Sequence, residues 1–352
     1  MNRFDYRRAG TIAEAVAAGA QPGAAYLGAG TNLLDLMKGG VSRPVQLVDL
    51  TKLPGLDRIE TLANGDVRIG ALVRNSILAH DAGFAKDFPA VAEALLSGAS
   101  PQLRNAATVG GNVLQRTRCA YFYDTASACN RRGAGSGCDA IGGENRLHAV
   151  LGWSAQCIAT HPSDFCVALA ALDAIVEIEG AAGARELPLA DLHRLPGDTP
   201  QVETSLAPGD LIVAVRLPAA SKAFAAHQRY IKVRERTSYA FAVVSAAAAL
   251  DIADGVVRGA RLAFGGVAAR PWRAVEAEAI LTGEVPTREV FERAAAAALA
   301  DARPSGDNAF KIDLARRIAV RALVRAAAGT PDRLPALPAS PFAAAAGEIH
   351  HG

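Results

Sequence analysis

The chain has 352 residues, 37 Lys+Arg against 35 Asp+Glu, 51% hydrophobic and 20% charged residues, the composition of a folded protein with two or three compact units. So even a charge balance, with no basic stripe interleaved with aromatics, excludes a nucleic-acid footprint. No apolar run approaches the roughly 18 residues of a membrane helix, and Met1–Arg8 lacks the apolar core and cleavage site of a secretion signal. The default address is therefore cytoplasmic, or periplasmic if the chain leaves folded with a signal-bearing partner.

Thr11-Ile12-Ala13-Glu14 reads as a capping box that opens a short helix ending near Gly19. The apolar strand Ala24–Leu27 follows, then the turn Gly28-Ala29-Gly30-Thr31-Asn32, a second short helix from Leu33 to a Gly39-Gly40 stop, and the strand Gln46–Leu50. Together these make a small β-α-β unit. Asn64-Gly65 between Ile59 and Val67–Ile69 predicts a hairpin, and Pro89–Leu96 predicts a helix stopped by Ser97-Gly98. Further on come a helix from Ser163 to about Leu172, a strand at Ala174–Ile178 and another at Leu211–Leu217. Pro218–Ser221 reads as a boundary. Beyond it, Gln228–Val233, Ala240–Ile252 and Gly259–Gly265 predict three strands, followed by Ala-rich amphipathic helices to about Ala328 and a Pro/Ala-rich tail over Pro331–Gly352. No internal repeat is visible.

Three constellations carry chemistry. Gly28–Asn32 joins a strand to a helix, so its amides can approach a phosphate, yet it lacks the third glycine of a Rossmann fingerprint and the Gly-Lys-Ser/Thr of a P-loop. Thr108-Val109-Gly110-Gly111-Asn112, preceded by Arg104-Asn105, again pairs glycines with a hydroxyl and an amide, a pattern shared by ligand-facing turns and bare ones. Cys119, Cys129, Cys138 and Cys157 crowd one Gly-rich stretch without helical or strand period. Four thiolates suit a [4Fe–4S] cluster or tetrahedral zinc, and the residues alone leave open both of these and unliganded or disulfide cysteines. The nearby Arg118, Arg131 and Arg132 suit the negative charge of a cluster. The fifth cysteine, Cys166, lies in an apolar helical run and reads as packing. Ser163 or Asp164 is the natural N-cap of that helix, although an Asp there also suits a ribose or ribityl hydroxyl. The seven histidines assemble no triad or zinc-protease pattern.

In order along the chain, Gly28-Ala29-Gly30-Thr31-Asn32-Leu33-Leu34, then Leu103-Arg104-Asn105-Ala106-Ala107-Thr108-Val109-Gly110-Gly111-Asn112, then Ser163-Asp164, then Lys232 in Tyr230–Val233 resemble the FAD-binding medium subunit of the molybdenum hydroxylases, the group of xanthine dehydrogenases, carbon monoxide dehydrogenases and aldehyde oxidoreductases. Arg261–Pro271 is similar to that family's C-terminal domain, and the resemblance runs from about residue 3 to 328. It implies an α+β chain. A two-subdomain FAD-binding fold of the vanillyl-alcohol-oxidase type would occupy 1–221, split near residue 55, with a C-terminal domain over 222–330 built on a three-stranded antiparallel sheet. Relatives join Gly-Gly-Asn to Ser-Asp by about a dozen residues, whereas here the gap is fifty. The excess, about 115–160, holds all four loop cysteines and resembles the insertion of flavoprotein subunits with an additional [4Fe–4S] cluster, the bacterial periplasmic aldehyde oxidoreductase type above all.

By the same resemblance, Tyr26, Leu27, Gly28, Ala29, Gly30, Thr31, Asn32, Leu33 and Leu34 hold the FAD pyrophosphate. Thr108, Gly110, Gly111 and Asn112 line the flavin channel, Asp164 reaches the ribityl or ring side, and Ile212 and Lys232 contact the isoalloxazine region. Ala29 and Asn32 depart from the family's commoner Gly and Asp. The implied function is electron transfer in a heterotrimer: electrons arrive from a small [2Fe–2S] subunit served by a large molybdenum-cofactor subunit, and leave through FAD to an external acceptor. No side chain is assigned proton transfer. A self-contained FAD oxidoreductase and a zinc-stapled scaffold are the alternatives.

Overall fold

The computed structural model describes residues 1–332, so nearly all of the tail expected over 331–352 lies outside the described residues. Its first sheet is parallel and three-stranded, β1 (Asp5–Arg8), β2 (Ala24–Leu27) and β3 (Gln46–Asp49) in the order β1-β3-β2. The helices Ile12–Gly19 and Leu33–Lys38 fall where the sequence places them. Thr11 caps the first by accepting from the Glu14 amide (3.1 Å), while the Glu14 carboxylate accepts from Gly10 N–H (2.8 Å), one residue earlier than a standard capping box. Strand β1 has no sequence signal: all four residues are exposed, without alternation, and only pairing to β3 makes them a strand.

A five-stranded antiparallel sheet follows, built from β4 (Ile59–Thr61), β5 (Val67–Gly70), β6 (Ile175–Gly180), β7 (Gly183–Pro188) and β8 (Leu211–Leu217) in the order β4-β5-β8-β6-β7. The Asn64-Gly65 hairpin forms, with Gly65 at φ +87°. The helices Pro89–Ser97 and Asp164–Ala171 share this sheet's core; every residue of the latter is buried, which explains its unbroken apolar run after Asp164.

The third sheet is β9 (Gln228–Val233), β10 (Val244–Ala253), β11 (Val256–Gly265) and β12 (Trp272–Arg273), antiparallel in the order β12-β11-β10-β9. Four strands stand where three were expected. The fourth is two residues long, paired to Ala263 and Phe264, too short to leave a period in the sequence. Along β10, Ala247 and Ala249 join the core of the middle sheet, while Ala246, Ala248 and Leu250 join the core under the helices Val275–Leu281, Arg288–Ala298 and Phe310–Ala327. The strand is buried on both faces, hence its continuous apolar run.

Candidate flavin cavity and cysteine site

The two glycine motifs, some 80 residues apart in sequence, meet. A Cβ on Gly28 would stand 3.1 Å from Thr108 Oγ1, and Asn32 Nδ2 donates to the Gly111 carbonyl (3.2 Å). Strand β2 delivers the first motif, with Gly30 in the left-handed region (φ +76°). The second is not a bare turn. Thr108 caps a short helix, Val109–Val113, by accepting from Gly111 N–H (3.3 Å), and the segment after β5 pins it through Val109 N–H to Val73 O (2.9 Å) and Gly110 N–H to Ala71 O (2.8 Å).

Beside these motifs opens a cavity of about 980 Å³. Thr31, Asn32 and Asn112 of the glycine motifs line it, and so do Asp164 and Lys232. Tyr26 is part of the support, its hydroxyl donating to the Gly209 carbonyl (2.7 Å). Ile212, expected at the ring, is 3% exposed and packs in the core of the middle sheet. Asp164 and Lys232 are not independent contacts. Lys232 Nζ donates to Asp164 Oδ2 (2.7 Å) and to the Ser97 carbonyl (3.1 Å), and the Tyr230 hydroxyl donates to Asp164 Oδ1 (2.6 Å). They form a buried pair in which burial, then Asp164, pushes the Tyr230 pKa well above its usual value. Ser163 is the N-cap of the helix, accepting from Cys166 N–H (3.1 Å), and it also donates to Asn112 Oδ1 (2.8 Å), tying the second glycine motif to the Asp164 wall.

The size and chemistry of this space fit a flavin dinucleotide: apolar walls carry a few convergent polar groups, some still short of a partner. Buried Asn75 Oδ1, Arg118 Nε and His148 Nδ1, on residues lining the cavity, have no hydrogen-bond partner among the described residues. Of these residues none was singled out from sequence as facing a flavin; isolated polar residues in irregular segments carry no period to mark them.

The long insertion is wired to this cavity. Arg118 donates to Asn32 Oδ1, to Tyr123 OH (2.5 Å) and to Asp35 (3.4 Å), so it reaches the first glycine motif. Cys119, Cys129, Cys138 and Cys157 together line a second, smaller cavity, and Cys119 and Thr117 face both. An isolated antiparallel bridge pairs Cys129 with Cys138, and another, Ser154 with Cys157, closes the turn that carries the fourth cysteine. All five cysteines are free thiols. Burial, outweighing backbone N–H donors, pushes the Cys119 pKa up to about 11, with Cys129 and Cys157 adding to the rise; burial also raises Cys138. Such thiols ionise only as a metal replaces their protons. His148 Nε2 lies 3.2 Å from Cys119 Sγ.

Tetrahedral zinc, with Zn–S of about 2.3 Å, would hold its sulfurs about 3.8 Å apart. Among the described residues, the one trio of His, Cys, Asp or Glu ligand atoms lying within 4.8 Å of one another is His161, Cys166 and His193, not any three of the loop thiols. Of the three arginines, Arg131 sits deepest. Burial disfavours its charge, but Glu203 (2.9 Å) and Cys157 outweigh it and raise its pKa. Arg132 instead braces the loop through the Tyr121 (2.8 Å) and Phe122 (3.0 Å) carbonyls.

The His161 trio reads as packing, as expected for Cys166. His161 Nδ1 accepts from Ser163 N–H (3.3 Å), so its Nε2 carries the proton; His193 Nε2 donates to the Val113 carbonyl (2.9 Å), so its Nδ1 is bare. Those tautomers suit a neutral imidazole pair, not two ligands. Burial keeps both neutral, holding His193 down at about 4 and His161 well below the usual value.

This geometry defines the class: a chain built around a dinucleotide-sized cavity, with a thiol-rich site at its edge. Residues 2–220 match the family described as FAD binding domain in molybdopterin dehydrogenase, and residues 229–326 match the CO dehydrogenase flavoprotein C-terminal domain. The aldehyde oxidoreductase FAD-binding subunit PaoB of Escherichia coli is 48% identical over 93% of this chain and 99% of its own length. Among solved structures, a reconstituted CO dehydrogenase from Oligotropha carboxidovorans superposes with a TM-score of 0.73 at 26% identity, covering 94% of this chain and 99% of that one. Quinoline 2-oxidoreductase from Pseudomonas putida gives 0.71 at 25%, covering 93% and 98%. The chain belongs to the FAD-binding subunits of the molybdopterin dehydrogenases, and it is an oxidoreductase subunit. No helix among the described residues is long and apolar enough to cross a membrane.

Proposed function

We propose that the chain is the FAD- and [4Fe–4S]-bearing electron-transfer subunit of a heterotrimeric aldehyde-oxidising molybdenum hydroxylase. Electrons reach it from a small [2Fe–2S] subunit, itself supplied by a large molybdenum-cofactor subunit, and leave through FAD to an external acceptor. The observation that carries the reading is the meeting of both glycine motifs at one large cavity whose wall includes Cys119, a residue that also faces the cysteine cavity. The similarity to the aldehyde oxidoreductase subunit over nearly its whole length supports the substrate class.

FAD, when bound, supplies the electron-accepting chemistry; the protein's share is placement and charge. The turn at Gly28–Asn32 within Tyr26–Leu34 would present backbone amides to the dinucleotide, while Thr108–Asn112, whose amides from Val109 to Asn112 are engaged within the chain, would offer small residues and the Asn112 side chain. The Lys232–Asp164–Tyr230 group forms a rigid polar wall, and Cys119, Cys129, Cys138 and Cys157 would hold the cluster by their sulfurs. Tyr239 and Phe241, 56% and 46% exposed, border the cavity and give it an apolar rim at the surface, where an acceptor would approach.

The test is the visible spectrum and the metal content of the complex purified without oxygen. Flavin bands over a broad iron–sulfur absorption, with four irons per chain beyond those of the small subunit, are expected. A colourless chain with one zinc would overturn the cluster and favour the scaffold. Steady-state assay with aldehydes against purines then checks the substrate class.

A further inference from the structure

Arg104, on the helix Pro101–Ala106, is 8% exposed and faces the large cavity. The other two buried arginines are paired, Arg131 with Glu203 at 2.9 Å and Arg229 with Glu93 at 3.1 Å. Among the described residues, Arg104 has no carboxylate within ion-pair distance; its hydrogen bond runs from Nη1 to the Gly98 carbonyl (2.7 Å). Asp164 is a neighbour at one remove, since a Cβ on Gly98 would stand 3.3 Å from its Oδ2, but both of its oxygens are engaged by Tyr230 and Lys232. Of the other charged residues lining the cavity, Lys232 pairs with Asp164, Arg118 with Asp35 and Arg146 with Glu235, while Glu144 and the exposed Arg236 have no ion-pair partner among the described residues.

A guanidinium does not discard its proton to escape burial as a lysine or histidine does, so a buried one needs an anion. Burial alone lowers the affinity of Arg104 for its proton, with no acidic neighbour pulling the other way. We propose that Arg104 is a built-in counter-charge that meets an anionic part of the bound flavin nucleotide. This rests on the FAD reading. The planar fork of the guanidinium suits two such partners, a phosphate of the dinucleotide or the negative charge that the ring acquires on reduction.

The test uses the complex stripped of flavin and reloaded, as wild type, Arg104→Gln and Arg104→Lys, with thermal melting confirming that each variant is folded. Titration with FAD is expected to show Arg104→Gln weakened about 30-fold or more, the loss typical of truncating one partner of a buried charge pair, with Arg104→Lys recovering most of it. Riboflavin separates the two partners. If riboflavin binding is unchanged, the phosphate is the anion; if riboflavin also weakens and the bound flavin's midpoint potential falls, the reduced ring is. The proposal is overturned if Arg104→Gln binds FAD like wild type with an unchanged midpoint, or if Arg104→Lys is as impaired as Arg104→Gln. A wild-type complex that takes up no FAD at all is a different failure and sinks the flavin reading instead.

Discussion

The cysteine insertion and the C-terminal sheet with its helices are ordered by opposite means. In the C-terminal unit, Val244, Leu250, Leu262, Phe264 and Phe291 are essentially withdrawn from water, and the helices above them are closed by alanines. Area removed from water stabilises that unit, at roughly 25 cal/mol per Å². In the insertion, regular structure amounts to one turn of helix at Ala120–Tyr123 and two isolated bridges; Val150 and Leu151 share the core of the C-terminal unit, and the cluster around its cysteines is as small as Leu36, Phe122 and Cys129. What orders the stretch between its cysteines is mainly polar. Asn130 Oδ1 accepts from Gly137 N–H (2.8 Å) while its Nδ2 donates to the Gln156 carbonyl (3.1 Å), and Asp139 accepts from Ala128 N–H (2.7 Å). A metal bound by its thiols, as in the proposed function, would add to the order of a segment with so little core of its own.

That contrast breaks most clearly at the thiols. If the thiols hold the proposed cluster, Cys129→Ala is expected to remove the iron–sulfur absorption and iron in excess of the small subunit's, and to open the insertion to protease, while urea unfolding of the C-terminal unit stays unchanged. An iron content equal to wild type would show that the loop does not hold the metal. The converse variant, Phe264→Ala, empties a fully buried ring position and should cost about 4 kcal/mol in urea unfolding, with the iron and flavin of the folded fraction intact.

The two regions join at Lys311, the second residue of the helix Phe310–Ala327. Its ammonium donates to the carbonyls of Leu147 (2.9 Å), His148 (2.7 Å) and Gly266 (2.6 Å), and Asn308 Nδ2 donates to the His148 carbonyl (3.1 Å). Lys311→Met strands at least two of these carbonyls and should cost about 2–3 kcal/mol, a smaller effect than Phe264→Ala. Burial first, and Arg146 second, pull the Lys311 pKa from 10.5 to about 7. Between pH 7 and 10.5 the unfolded chain therefore holds a proton that the folded chain has released. Stability conferred through this residue rises with pH over that window and is flat below it. The gap between wild type and Lys311→Met in urea melts should widen from pH 7 to 9; a constant gap would mean that Lys311 stays charged.

Legibility in the sequence followed the same division. Elements whose residues alternate or cap were readable: the helix after Thr11, the Asn64-Gly65 hairpin, and β8 at Leu211–Leu217, whose limits match residue for residue. Both glycine motifs and the cysteine quartet were visible as local patterns. Their convergence was not, because the contact of Gly28 with Thr108 and the double exposure of Cys119 are products of tertiary packing. Asp164 and Lys232 were legible as candidates, but not as each other's partner, since 68 positions separate them. Arg104 stood inside a recognised motif, yet only burial without a carboxylate gives it meaning.

The gentlest probe sits where the glycine motifs touch. Thr108→Val keeps the shape that fills the space against Gly28 but removes the hydroxyl that accepts from Gly111 N–H, so loss of this cap should cost about 1 kcal/mol. The freed Gly111 amide and the loosened Val109–Val113 turn should weaken FAD binding by a few-fold, because Asn32 leans on the Gly111 carbonyl and carries the disturbance into the first motif. Equilibrium urea unfolding and FAD titration of the same preparation separate the two effects. A stability loss with unaltered FAD affinity would mean that the two motifs share packing and nothing more, whereas a parallel loss would make their contact part of the cofactor's grip.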